Sequence, residues 1–166
     1  MATIVTRSLL TGERLQCSWR DVVLPQIKQC ERKSFPSNEA FNFEVELKKR
    51  NIDMVVILHN EDPVAKRPQL VAYLIFSHRK AGHAVLLHKI CVVKEYRHQG
   101  IAKLTLRSEI TRLRRQCSKI QLWVHRGNAA AITLYQSLGF ETVNEVENYY
   151  GPGRTGMEMI LNLVQT

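Results

Sequence analysis

The chain has 166 residues, of which 45% are hydrophobic and 23% charged, and it carries a net charge of +9 at neutral pH. That length suits one domain over residues 1–166, able to bury roughly 70% of the surface its unfolded chain exposes, so no staple is required. No apolar segment reaches the ~20 residues that cross a membrane, and the positive charge implies an acidic partner.

The opening MATIVTRSLL has no long apolar run behind its charge and does not read as a signal peptide, so the default expectation is the cytoplasm or the nucleus. Residues 3–9 alternate weakly, as a first strand would. Over 18–33, Trp19, Val22, Val23, Ile27 and Cys30 recur at helical spacing, with Ser18 as a cap. Pro25 inside this span predicts a kink or a division into two pieces. FPSN (35–38) interrupts the pattern, and 39–49 reads as a second helix with Asn38 as its N-cap. MVVILH (54–59), QLVAYLIFSH (69–78) and HAVLLHKICVV (83–93) read as three strands of an antiparallel meander, joined by turns over 60–68 and 79–82.

Residues 100–117 form a helix with Leu106, Ile110, Leu113 and Cys117 on one face. KIQLWVH (119–125) is a strand, and 128–138 a short helix capped by Asn128 and stopped by Gly139. Strands over 140–149 and 156–163, joined through YYGPGRT, close the chain. The order is β-α-α-β-β-β-α-β-α-β-β, a mixed α/β fold. Strand, helix, strand over 85–125 demands one parallel pair with a right-handed crossover.

Cys17, Cys30, Cys91 and Cys117 contain no CxxC spacing, so neither a zinc site nor a disulfide framework is expected. Cys91, inside an apolar strand, and Cys117, at a helix end, read as small core residues in a reducing compartment. Between Lys89 and Arg115 eight basic residues face only Glu95 and Glu109. That excess is either a solvated helix face or a surface for a phosphorylated ligand or ribosomal RNA.

The chemistry centres on VVKEYRHQGIA (92–102). Val92 and Val93 end a buried strand, and a basic amphipathic helix opens at Gly100. A helix N-terminus carries about half a positive charge and several unsatisfied N–H groups, so diphosphate suits it. Gly100 lets the backbone approach a phosphate closely, and Ala102 stays small where the helix meets it. Arg97-His98-Gln99-Gly100-Ile101-Ala102 spells R-x-x-G-x-A, a weak signal alone that gains weight from its place between strand and helix.

Here the sequence resembles the GNAT superfamily of N-acetyltransferases, whose acetyl-CoA loop reads Q/R-x-x-G-x-G/A after the fourth strand. A second stretch, Asn128 to Phe140, is similar to the family's N-x-x-A-x-x-L-Y-x-x-x-G-F signature. The element order fits nearly end to end. The resemblance implies the GNAT fold, with a mostly antiparallel central sheet, and acetyl-CoA as co-substrate with no metal. It implies that backbone N–H groups from Val93 to Ala102 hold the pyrophosphate and that Asn128 contacts the CoA arm, alongside its capping role. It further implies that Tyr135 protonates the leaving thiolate; the other reading is a core aromatic beside Leu134 and Leu138. Transfer would be direct, in a ternary complex. Cys91 and Cys117 are not acetyl carriers.

The acceptor amine must be neutral to attack. An α-amine, pKa about 8, is neutral in about one molecule in ten at pH 7, whereas a lysine, pKa about 10.4, is neutral in roughly one in a few thousand. An N-terminal acetyltransferase therefore works with a weak base or water. His88 shares a strand face with Leu86, Ile90 and Val92 and is the leading base; arylalkylamine members of the family carry a catalytic histidine on that strand. The bland reading is a histidine satisfied at a strand end. His125 is a second candidate, or a solvent-facing terminus, and His98 belongs to the phosphate loop or faces water.

SFPSNEAF (34–41) lies where N-terminal acetyltransferases carry a substrate loop with F-P or L-P, here Phe35-Pro36. NYYGPGR (148–154) lies where they carry a Tyr-Tyr pair, here Tyr149 and Tyr150. LWVHRGNAAAITLYQSLGF also resembles the bacterial RimI-like ribosomal-protein N-acetyltransferases. Those enzymes have a glutamate at the position of Trp123, which cannot take a proton, so the base falls to His88, to water, or to Glu39 in the first loop. The bland readings are an aromatic strand end for the tyrosines, a hydrophobic staple for Phe35 and a dipole-complementing acid for Glu39. The leading expectation is acetylation of protein or peptide N-termini, with a ribosome or auxiliary subunit as partner through the basic face. The alternatives are a transferase for polyamines, arylalkylamines or lysine side chains, and an inactive acyl-CoA-binding module.

Overall fold

Ile52–His59 (β2) buries all of its side chains, as a β-branched run does when both faces of its strand are covered. The computed structural model describes residues 4–10, 17–59, 68–79 and 83–163. The expected turn over 60–68 lies outside them apart from Pro68, and that over 79–82 apart from Arg79. The remaining elements are β1 (Ile4–Leu10), α1 (Cys17–Ser34), α2 (Phe43–Glu46), β3 (Gln69–Arg79) and β4 (Ala84–Val92). They continue with α3 (Ile101–Leu113), β5 (Lys119–His125), α4 (Ala129–Gln136), β6 (Glu141–Val146) and β7 (Gly156–Asn162). Helices and strands follow the order expected from the sequence. The strands pair in the order β1-β2-β3-β4-β5-β7-β6, so β2, β3 and β4 are consecutive neighbours, as the meander requires.

Two compact units divide the chain: residues 1–76 with 89–101, and 77–88 with 102–166. In the first, β1 pairs antiparallel with β2, Ile4 opposite His59. Its core takes Val23, Ile27 and Cys30 from one stripe of α1. Opposite them stand Ile52, Met54, Val56 and Leu58, alternate residues of β2, with Tyr73 and Ile75 of β3. The spacings of 3.6 and 2 thus converge on one cluster. Each fully buried Val or Ile contributes roughly 1.5–3 kcal/mol relative to exposure.

In the second unit β4 and β5 form the parallel pair, from Ala84 opposite Lys119 to Leu87 opposite Leu122. β5 then pairs antiparallel with β7 along its whole length. α3 buries Leu106, Ile110 and Leu113, and Cys117 beyond it is buried too, so the expected apolar face holds. β6 exposes every residue, as an edge strand does, and a bulge between Thr142 and Asn144 breaks its ladder with β7.

Four local expectations are corrected. α1 runs through Pro25 as one element, so the division into two pieces does not occur. Asp21 and Pro25 are both exposed, so water can serve the carbonyl that the missing N–H leaves unbonded. Ser18 falls inside α1 rather than ahead of it. The second helix shrinks to α2, because Asn42, not Asn38, is the cap: its side chain accepts from the Val45 N–H. The stretch before it is a tight turn over Ser37–Glu39, after which the Phe41 N–H donates to the Glu31 carboxylate. Finally, α3 stops at Leu113, and exposed Arg114, Arg115 and Gln116 turn the chain toward β5.

Candidate active site

In the first unit, β4 ends at Val92, the Val93 N–H donates to the Val71 carbonyl, and a single tight turn covers Lys94–Tyr96. The chain then passes through two residues in the left-handed region, His98 at φ 61° and Gly100 at φ 73°, before α3 begins. Arg97, His98, Gln99 and Gly100 are all exposed. A Cβ on Gly100 would meet nothing within 4 Å, so glycine is favoured there by backbone conformation rather than by space. Exposed N–H groups around left-handed residues at a helix mouth suit an anion. Arg97 turns inward instead: its Nε donates to the Val92 carbonyl at 2.9 Å and its Nη2 to Ser34 Oγ at 3.2 Å. It braces the loop.

The loop after α1 is built around Lys89. Its Nζ lies 3.7 Å from the centre of the Phe35 ring, 2.6 Å from the Glu39 carbonyl and 3.2 Å from Glu31 Oε1. Glu31 is 2% exposed and also accepts from the Tyr73 hydroxyl. A desolvated charge pair with further hydrogen bonds is costly to half-remove, so this network fixes where Phe35 and Glu39 sit. Pro36 is exposed and precedes the Ser37–Glu39 turn. Lys89 was counted in the sequence as one of the basic face's charges; here it points inward. Arg112, also counted there, pairs with buried Glu109 at 2.7 Å. The signal for Lys89 was its alternation with Leu87 and Cys91 on the buried side of β4, since a lysine there needs a partner.

The second unit holds the proposed proton-transfer residues. His88 is the first residue of β4 past the parallel ladder, and its Nε2 lies 2.8 Å from the buried Ser77 Oγ. Asn128 caps α4, its Oδ1 accepting from the Ala131 N–H at 3.2 Å. About two turns further on, Tyr135 is 7% exposed, with its ring 5.7 Å from that of Phe140. Burial pushes the Tyr135 hydroxyl well above the usual tyrosine range. It stays protonated at neutral pH.

Aromatic rings gather at the end of β5. Tyr149 stacks on Trp123 with centroids 4.2 Å apart and planes at 10°. Tyr150 meets Tyr149 edge-on at 4.9 Å and His125 at 6.1 Å. The connection is tight: Tyr150 N–H donates to Arg154 O, Gly151 N–H to Asn148 O, and Gly153 N–H to Asn148 Oδ1. Gly156 is required for space, because a Cβ there would lie 2.8 Å from Tyr149. His125 is half-buried at the strand end, its Nδ1 accepting from the Gly127 N–H at 3.1 Å. Directly across from Trp123 on β7 stands Glu158, a carboxylate the sequence reading passed over. It accepts from Gln121, and only the strand register brings it beside the tryptophan. Tyr149's hydroxyl is pushed up by burial and by the charge of Glu158, with Arg79 opposing.

The named residues divide as follows. Phe35, Pro36, Glu39, Val92, Val93, Arg97, His98, Gln99, Gly100 and Ile101 belong to the first unit. His88, Ala102, Asn128, Tyr135, Tyr149 and Tyr150 belong to the second.

A family model described as the acetyltransferase (GNAT) family matches residues 23–140. The [ribosomal protein bS18]-alanine N-acetyltransferase of Escherichia coli strain K12 is 40% identical over 73 residues, 43% of this chain and 49% of that protein. An N-alpha-acetyltransferase of Saccharolobus solfataricus is 34% identical over 76 residues, 45% of this chain and 44% of that protein. The matched stretch thus spans about half the length of these relatives. Among solved structures, Arabidopsis thaliana NAA60 in complex with a bisubstrate analogue superposes with a TM-score of 0.76 at 19% identity, over 99% of this chain and 100% of that one. The last likeness establishes the fold.

Proposed function

The chain belongs to the GNAT family of acetyltransferases, and from that premise we propose that it transfers acetyl from acetyl-CoA to the α-amine of protein or peptide N-termini. The observation that carries the acceptor assignment is the tightly hydrogen-bonded loop that lays Tyr149 on Trp123 and Tyr150 against His125. A rigid aromatic wall suits the first side chains of a peptide. The names of the sequence relatives support the same acceptor.

Acetyl-CoA supplies an activated thioester, and its diphosphate fits the exposed loop of His98, Gln99 and Gly100 at the start of α3. In this reading the first unit's loop N–H groups bind the diphosphate, with Phe35, Pro36 and Glu39 as acceptor contacts of that unit; in the second unit Asn128 contacts the CoA arm and Tyr149 and Tyr150 receive the peptide's first side chains. His88 Nε2, or a water, receives the proton of the attacking amine, and Ser77 orients the imidazole. Tyr135, kept protonated by burial, gives its proton to the departing sulfur. With an α-amine pKa of about 8, a base of histidine strength suffices.

Mass-spectrometric acetylation assays test the assignment, using peptides with free N-termini, the same peptides N-blocked but containing lysine, and small amines. Product on α-amines alone is expected. Product only on lysine, polyamine or arylalkylamine acceptors overturns the acceptor assignment, and CoA binding without any product overturns the enzyme reading.

A further inference from the structure

Cys30 and Cys91 are 61 positions apart in sequence, yet their Sγ atoms lie 3.3 Å apart in the core of the first unit. Both are thiols. An S–S bond is about 2.05 Å, so closure requires the sulfurs to approach by little more than ~1 Å. Cys91 Sγ also lies 3.3 Å from Ser34 Oγ, which in turn accepts from Arg97 Nη2 at 3.2 Å. Access is from the Cys30 side: a cavity of about 230 Å³ is lined by Cys30, Ser34, Lys33, Val93 and Arg97, with Cys91 directly behind Cys30. That is ample for a molecule of the size of hydrogen peroxide.

From this arrangement we propose that Cys30 and Cys91 are an oxidant-responsive dithiol that closes to a reversible disulfide on reaction with peroxide. The two sulfurs are unequal. Hydrogen bonding from Cys30, and then from Ser34 with the Arg97 charge nearby, holds the Cys91 thiol below its ordinary range against the effect of burial. Hydrogen bonding to Cys91 and burial push Cys30 up. With Ser34 and the Arg97 guanidinium on its side, Cys91 is the attacking sulfur and Cys30 the resolving thiol. The Cys91 sulfur attacks one peroxide oxygen, the O–O bond breaks, and the departing hydroxide takes a proton to leave as water. The Cys30 sulfur then attacks the Cys91 sulfenic acid, the S–O bond breaks, and a second water carries away the hydroxyl and the Cys30 proton. Two electrons pass from the sulfur pair to the peroxide. The bond would tie α1 to β4 one residue before the strand's end, where Arg97 already braces the loop.

The test is peptide mapping of the full chain, reduced, treated with hydrogen peroxide, alkylated and digested without reductant. The expected product is a peptide pair linked through Cys30 and Cys91, released by dithiothreitol. In Cys30→Ser, sulfenic-acid labelling of Cys91 by dimedone rises severalfold over the wild type, because the resolving thiol is gone. A linkage through Cys17 or Cys117 instead, or oxidation that stops at irreversible sulfinic acid in the wild type, overturns the proposal. The wild-type map decides the matter even if the variant does not fold, and it does not depend on acetyl-CoA or on the acceptor.

Discussion

Tyr149 lies flat on Trp123, 4.2 Å between centroids and 10° between planes, and Gly156 leaves room for it by having no Cβ. An offset aromatic stack contributes about 0.5–1.5 kcal/mol beyond the area it buries. The contact joins the β6–β7 connection to β5.

Tyr149→Ala should raise KM for an N-terminal peptide roughly five- to tenfold, the equivalent of about 1 kcal/mol, while leaving KM for acetyl-CoA within twofold. Gly156→Ala should reproduce the effect by displacing the ring. Steady-state kinetics with each substrate varied in turn would measure both. A rise confined to the acetyl-CoA term would place the stack elsewhere in the reaction.

His88→Gln keeps a hydrogen-bonding partner for Ser77 but no group that titrates near neutrality. With His88 as general base, kcat/KM should drop by about 10²-fold or more, and the acid limb of its pH profile should lose one proton's steepness, leaving only that of the α-amine. A variant with an undiminished acid limb would leave water as the proton acceptor.

Tyr135→Phe should lower kcat by about 10²-fold with little change at equilibrium near pH 7. At alkaline pH the two proteins should diverge. Burial lifts the folded-state value above the ordinary 10.0, so above that pH the unfolded chain loses a proton the folded chain keeps. Tyr135's contribution is therefore whole below pH 10 and is lost as pH rises toward the folded value, at about 1.4 kcal/mol per pH unit. The variant's alkaline stability limb should be shallower by that slope, as read by urea unfolding at stepped pH. Tyr73, raised mainly by burial, would supply part of what remains.

Lys89→Met strands the Glu31 carboxylate, whose side chain is 3% exposed, without its cation. A loss of about 3–5 kcal/mol in unfolding free energy is expected. Adding Glu31→Gln should recover part of it, and a double-mutant cycle would show coupling well above 0.5 kcal/mol. If the network positions Phe35 and Glu39, peptide KM should rise in the single variant more than kcat falls.

Much of this protein was legible as local pattern. Strand alternation, helical stripes, the Asn128 cap and the Gly139 stop are one-dimensional consequences of backbone geometry. So are the two motifs, because a strand, a glycine and a helix start are contiguous in the chain. Where local rules competed, neighbours decided: Asn42 displaced Asn38 as a cap, with Phe41 held at the Glu31 carboxylate, and α1 carried Pro25 at a place where Asp21 and Pro25 are both exposed. The relationships between distant residues had no sequence signal of their own. Lys89 inside a ring of Phe35, Glu39 and Glu31, Glu158 opposite Trp123, and Cys30 against Cys91 each depend on strand register or on which helix stripe meets which strand. Those choices are set by packing the whole core at once, and one residue's slip in register would send every side chain of a strand to its other face.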